Sequence, residues 1–200
     1  MAEIQRFLEQ ASTLHNHLCP RQILGIRIGL FAAELLHLSL PQSDKQLYTF
    51  VETDGCFADG VSVATGCWLG HRTMRLMDYG KVAATFVDTQ TERAVRIWPH
   101  PNARQTAVCL RPNTQGYWHS QLEAYQIMPT RDLMCAAEIQ LKVSMKALMS
   151  RPGIRETCAV CGEEILNERH VVVHDQILCK SCADGGYYHV VESALAEQHE

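Results

Sequence analysis

The sequence predicts an α+β domain, an antiparallel sheet packed with helices, followed by a small cysteine-knuckle appendage. Three observations carry this. Apolar residues recur at helical spacing near the N-terminus, β-branched and aromatic runs separated by turn residues fill the middle, and two Cys-x-x-Cys pairs close the chain. With 200 residues, 46% of them hydrophobic, the front part is long enough to bury a core unaided. The appendage is not, because domains below roughly 40 residues generally need metal or disulfides. We therefore divide the chain into residues 1–150 and 151–200, at Arg151-Pro152-Gly153.

The elements follow in order. Ile4, Phe7, Leu8 and Ala11 share one face of a first helix over residues 3–13. Pro20 suits the first turn of a second helix, from about Arg21 to Leu38, since its missing N–H costs least there. Gly25 and Gly29, four apart, would let another backbone approach that helix closely. Leu47–Thr53 reads as a buried strand, and Phe57–Leu69 as a helix with Asp54 as its N-cap. Thr73–Met77, Lys81–Asp88 and Ala94–Trp98 read as an antiparallel meander turning at Asp78-Tyr79-Gly80. Helices are expected over 102–110 and Trp118–Met128. From Leu133 to Val143 strict alternation favours a strand over the helix that the Ala, Glu and Gln content suggests.

The appendage holds Cys158-Ala-Val-Cys161, seventeen intervening residues, and Cys179-Lys-Ser-Cys182. Each knuckle can turn two sulfurs toward one point, and two knuckles complete a tetrahedron. Val171–Val173 and Gln176–Leu178 form a hairpin between them, with a helix expected after Cys182. Knuckle, hairpin, knuckle and helix make a treble-clef zinc finger with Cys158, Cys161, Cys179 and Cys182 as structural ligands; rubredoxin-like iron is the minority alternative.

Charge and compartment narrow the function classes. The net charge is −4, no block of Lys or Arg stands out, and the finger carries Glu156, Glu163, Glu164, Glu168, Asp175 and Asp184 against Arg155, Arg169 and Lys180. Such a surface repels a phosphate backbone, so as a recognition module the finger favours a protein over nucleic acid. Apolar stretches fall short of the ~18–20 residues a membrane span needs. The N-terminus lacks the apolar core of a signal peptide, and nine cysteines with two Cys-x-x-Cys pairs suggest a reducing cytoplasm.

In the front domain, His15, His17 and Cys19 alternate before a helix start, so their side chains can converge, and a helix N-terminus favours the thiolate of Cys19. Glu52-Thr-Asp-Gly-Cys56, with Asp59 close behind, occupies a strand-to-helix junction. Thr65-Gly-Cys67 follows, with His71 and Arg72. His15, His17, Cys19, Cys56 and Cys67 are thus candidates for a second metal site, of zinc, nickel or iron. Two enzymatic readings stay open. An incompletely ligated metal could work with Asp54 or Asp59 as general base, or Cys19 could be a nucleophile with His17 as its base. The candidate catalytic residues are accordingly Cys19, His17 and Asp59. His37, His100, His119, His189 and His199, with Cys109 and Cys135, read as structural.

His15-Asn-His-Leu-Cys-Pro20, Val51-Glu-Thr-Asp-Gly-Cys56, Thr65-Gly-Cys67 and Asp78-Tyr-Gly-Lys-Val-Ala83 together resemble the formylmethanofuran dehydrogenase E-subunit family, some of whose members carry a C-terminal treble-clef finger. The resemblance implies an α+β core, a homodimer, and a pocket gathering these His and Cys residues. It also implies an accessory role beside a molybdenum- or tungsten-dependent oxidoreductase. Two positions depart from the family pattern: Arg21 stands where glycine follows Cys-Pro, and Gly70-His71 where Gly-Lys is usual.

Overall fold

The computed structural model describes residues 2–15, 17–112, 115–149 and 153–189. The chain divides into two compact units, with the boundary between Lys142 and Val143.

In the first unit, α1 (Ala2–His15) and α2 (Pro20–Leu36) precede β1 (Leu47–Val51), α3 (Cys56–Thr65) and β2 (Met74–Leu76). Then come β3 (Ala84–Asp88), β4 (Ala94–Pro99), α4 (Ala103–Leu110), α5 (Tyr117–Ile127), α6 (Thr130–Leu133) and β5 (Met134–Ile139). The five strands form one sheet in the order β2-β1-β3-β4-β5. Pairing is antiparallel except between β1 and β2, which run parallel. Parallel neighbours need a crossover, and α3 supplies it.

That crossover corrects the expected meander. Residues 73–77 do not turn back onto the next strand at Asp78-Tyr79-Gly80. Instead Met77 N–H donates to Val51 O, and Tyr79 and Lys81 N–H both donate to Glu52 O, while Glu52 N–H donates to Ala83 O across the way. The chain wraps around the carboxyl end of β1 and enters β3 on its other side. A tight turn looks the same in sequence whether it joins two paired strands or rounds the end of a third.

The alternation at 133–143 does form a strand, with Cys135, Ala137 and Ile139 on its more covered face. The helix expected over Phe57–Leu69 is shorter. It stops at Thr65 because Gly66, at φ 75°, turns left-handed and donates its N–H back to Ser62 O. Its N-cap is Gly55 rather than Asp54, and no side chain caps it. Gly55 has φ 69° and ψ −152°, a region essentially reserved for glycine, so the turn into Cys56 depends on it.

α2 is the centre of the core. Ile23, Ile26, Ile28 and Ala32 are fully buried, and it meets α1, α3, α5 and the sheet. Its closest partner is α3. A Cβ on Gly25 would run into the Phe57 carbonyl oxygen and lie 2.8 Å from Val61 N; one on Gly29 would come within 2.8 Å of the Ala64 Cβ. Reciprocally, a Cβ on Gly60 would strike the Gln22 carbonyl. Positions 22, 25 and 29 thus face 60, 57–61 and 61–65, so α2 and α3 run parallel with their N-termini together. Two glycines inside a helix cost about 2 kcal/mol against alanine. Each fully buried isoleucine contributes about 1.5–3 kcal/mol, so the packing prevails.

The second unit comprises α7 (Met145–Leu148), the hairpin of β6 (Arg155–Thr157) and β7 (Glu164–Leu166), the hairpin of β8 (Val171–Val173) and β9 (Gln176–Leu178), and α8 (Lys180–Asp184). The expected hairpin around His174-Asp175 is present. The helix expected after Cys182 is the short α8, which begins before Cys182 and ends at Asp184; residues 185–189 are not helical, and 190–200 lie outside the described residues.

Two outcomes follow. Gly25→Ala should lower unfolding stability in urea by about 1–3 kcal/mol, because backbone, not a flexible side chain, must yield. Gly70→Ala, with open space at its Cβ, should stay within about 0.5 kcal/mol. At the β3–β4 turn, burial alone would raise the pKa of Asp88. Donors from Thr91 Oγ1 (2.7 Å), Gln90 N (3.0 Å) and Gln46 Nε2 (3.2 Å) outweigh it and hold the carboxyl below its usual range. A carboxyl depressed in the folded state contributes fully above about pH 4, and the contribution is lost as pH falls through the folded value. Between about pH 6 and pH 3 the wild-type urea midpoint should therefore drop further than that of Asp88→Asn.

Candidate metal centre and thiol cavity

In the finger the four sulfurs of Cys158, Cys161, Cys179 and Cys182 all lie within 4.8 Å of one another. The Cys161 and Cys179 sulfurs are 4.0 Å apart, against about 3.8 Å for two thiolates on one tetrahedral zinc with 2.3 Å bonds. Cys179 N–H donates to the Cys158 sulfur and Cys182 N–H to the Cys179 sulfur, each at 3.3 Å. Such N–H···S bonds fix the knuckles and favour the thiolate state. Backbone donors, chiefly at Cys161 and Cys179, draw the Cys158 thiol down to about 6, while the neighbouring Cys179 thiol and burial push Cys182 up to about 12. Cys158 is shut off from solvent at 1% exposure, yet the finger is too thin to desolvate it strongly. The thiols of the set ionise as metal displaces their protons. The donor set fits zinc.

The front domain gathers its chemistry differently. Cys19 is the N-cap of α2 and Cys56 the first residue of α3. Because those helices run parallel, the two thiols come near enough for Cys19 to raise the Cys56 pKa. Gln22, fully buried, secures the arrangement: its Oε1 accepts from Cys19 N–H at 2.8 Å and its Nε2 donates to Ala11 O at 2.9 Å, tying α2 to α1. Cys56 sits just past the carboxyl end of β1, in the strand-to-helix turn where open α/β units commonly place ligands.

Both thiols open onto a cavity of about 660 Å³, the size of a small organic ligand site. Arg21, His100 and Arg104 supply its polar wall; Leu24, Trp118 and Tyr125 supply apolar and aromatic surface. Arg27 holds the α5 wall in place, donating to Tyr125 O and Met128 O at 2.8 Å each. The Tyr125 hydroxyl donates to Gln121 Oε1 at 3.2 Å; burial raises its pKa, and the Arg104 guanidinium beside it opposes that. His100 accepts from Asn102 N–H through Nδ1 at 3.1 Å, which leaves Nε2 as its donor.

The candidates are not all brought together. Cys67 follows the C-terminus of α3, about 15 Å of helix away from Cys56. It is fully buried, accepts from Gln42 Nε2 at 3.2 Å and donates to Leu47 O at 3.4 Å; burial raises its pKa despite these donors. One coordination sphere cannot hold both thiols, and Cys67 packs in the core. His17 is exposed and does not line the cavity; Asp59 lies close enough to Cys56 for its charge to raise that thiol's pKa. The His15 side chain lies outside the described residues. Among the described residues the finger is the only cluster of three or more metal-ligating groups.

Sequence reasoning misses the cavity walls. His100 reads there as structural and Arg21 as a departure from pattern; the setting of His100 between Pro99 and Pro101 is the available signal.

Burial raises the Cys56 pKa most, and the hydrogen bond and charge of Cys19 raise it further. Cys19→Ala removes both Cys19 contributions. Peptide-resolved alkylation by iodoacetamide should show Cys56 reacting faster than in wild type at any pH below its ordinary titration range; equal rates would mean the thiols do not interact.

Residues 14–141 match the family described as "FmdE, Molybdenum formylmethanofuran dehydrogenase operon". Residues 153–188 match the prokaryotic dksA/traR C4-type zinc finger. A "Probable S-adenosyl-L-methionine-binding protein" of Archaeoglobus fulgidus is 34% identical over 98% of this chain, which spans 57% of that relative's length. A crystal structure of a tungsten formylmethanofuran dehydrogenase FmdE-like protein from Syntrophus aciditrophicus shares the fold, with a TM-score of 0.59 and 19% identity over 92% of this chain and 94% of that one. The matched motifs cover the thiol cavity, and the chain belongs to the FmdE family, with a C4 zinc finger appended.

Proposed function

We propose that this chain is a zinc-finger-bearing accessory protein that captures a thiophilic metal ion, or a small ligand carrying one, at the Cys19–Cys56 pair. The carrying observation is the meeting of those two thiols, from the N-termini of two parallel helices, on the wall of an organic-ligand-sized cavity. Two sulfurs make an incomplete coordination shell, suited to a metal that arrives with ligands of its own or is passed on. Asp59 lies within charge range of Cys56, and His15 and His17 precede Cys19 in sequence. In keeping with the family's operon, the client would be a molybdenum- or tungsten-dependent oxidoreductase. The protein would act in the cytoplasm as a homodimer, with the finger as an acidic contact surface for a protein partner. No helix among the described residues is long and apolar enough to cross a membrane.

The name of the Archaeoglobus relative supports a second reading, S-adenosyl-L-methionine as the cavity's ligand. Its adenine suits Trp118, but its sulfonium cation would face Arg21 and Arg104, with no carboxylate in the lining among the described residues.

Equilibrium dialysis against zinc, read by elemental analysis, tests the thiol pair. Wild type should take up an equivalent beyond that of the finger. Cys19→Ser/Cys56→Ser should lose the extra equivalent alone, and Cys158→Ser/Cys161→Ser the finger's alone. Saturation at the finger's equivalent, unchanged in Cys19→Ser/Cys56→Ser, would sink the metal-capture reading.

A further inference from the structure

The cavity discriminates by charge. Arg21 and Arg104 reach it from two different helices, α2 and α4, and His100 adds an Nε2–H donor from the loop between β4 and α4. Among the described residues no Asp or Glu lines it, although the chain as a whole is acidic at −4 and Asp59 lies within charge range of Cys56. Cations collected against the overall charge, beside the positive ends of two parallel helices, create a local potential that favours anions. Guanidinium groups also match the planar oxygen pairs of carboxylates and phosphates. Trp118 and Tyr125 add flat apolar surface to the same space.

We infer that the ligand of this cavity is an organic anion with a planar ring, its carboxylate or phosphate held between Arg21 and Arg104 and its ring against Trp118. The inference rests on the cavity being the working site proposed above. It goes further in naming the ligand's chemistry and in giving Arg21 a role. A glycine at that position would leave Arg104 and His100 alone on the polar wall. The ligand's anionic end and the two thiols then share one chamber, so a metal held by the thiols could complete its shell from the ligand's oxygens.

Isothermal titration calorimetry on the full chain tests this with four probes that share a benzene ring: phenyl phosphate, benzoate, benzyl alcohol and benzyltrimethylammonium. At least one anion should bind about tenfold or more tightly than the neutral alcohol and the cation, and the tighter of the two anions identifies phosphate or carboxylate as the recognised group. Arg21→Gln and Arg104→Gln should each weaken that anion about tenfold, and added salt should weaken it in wild type. Trp118→Ala should weaken phenyl phosphate more than inorganic phosphate. Binding of the alcohol or the cation as tight as the anions, no binding of either anion, or anion affinity unchanged in both arginine variants would overturn the inference. Unfolding curves matching wild type would show that the variants' losses are not losses of fold. Cys19→Ser/Cys56→Ser separates the two ideas, since anion affinity should survive there within about threefold while the extra zinc equivalent is lost. Anion binding without metal uptake would sink the thiol reading alone, and metal uptake without anion preference would sink this one alone.

Discussion

The close parallel packing of α2 on α3 is the constraint on which the rest depends. Gly25 and Gly60 let backbone meet backbone, and Gly29 leaves room for the Ala64 Cβ. An ordinary helix pair keeps its axes about 8–10 Å apart, and larger side chains at these positions would force that distance wider. Here the approach sets where the two N-termini lie, and therefore where Cys19 and Cys56 lie. The same packing lets α3 serve as the crossover that makes β2 parallel to β1. In this protein the core contact and the candidate site are one feature, and glycines that look like weak points in a helix are the residues that build it.

The electrostatics at the paired N-termini are a balance. Each helix end offers unsatisfied N–H groups and a partial positive charge, which favour thiolate. Burial and the neighbouring thiol push the other way, and for Cys56 they prevail. The Cys56 thiol is therefore costlier to ionise than a free one, and a second negative charge beside it would cost more still. A soft cation changes the sign of that coupling: the second sulfur then helps rather than opposes. On the proposed metal-capture reading, the pair would thus favour proton loss coupled to metal uptake over proton loss alone. Arg21 and Arg104 line the same cavity, while the charge of Asp59 reaches Cys56 and opposes its ionisation.

The legible parts of the sequence are those with a local cause. The four-cysteine finger, the hairpin at His174-Asp175 and the strand at 134–139 each follow from spacing or alternation within a few residues. The pairing of Gly25 with a second backbone is legible as a possibility, though not which helix would come. What stays hidden is non-local. Nothing near Asp78-Tyr79-Gly80 says that its hydrogen bonds go to Glu52 instead of across a hairpin. Cys56 and Cys67 look alike as glycine-preceded thiols, and only the length of α3 between them shows that one reaches the cavity and the other the core. His100 and Arg104 belong to the site through the docking of α4 and α5, which no motif records.

The two cysteine sites differ in a way that bears on what each can do. In the finger, four sulfurs lie within 4.8 Å of one another, two of them backed by backbone N–H groups, so one tetrahedral ion would have its shell filled by protein, with no open position. A closed shell of that kind holds metal for the sake of structure and exchanges it slowly. At the cavity only two sulfurs converge, on rigid helices that cannot bring in more, with His17 outside the lining and Cys67 at the far end of α3. An incomplete shell holds an ion less tightly than a closed one and admits ligands from outside. On the proposed reading, permanence would belong to the first arrangement and transfer to the second. Coordination number, more than the presence of cysteine, distinguishes the two sites.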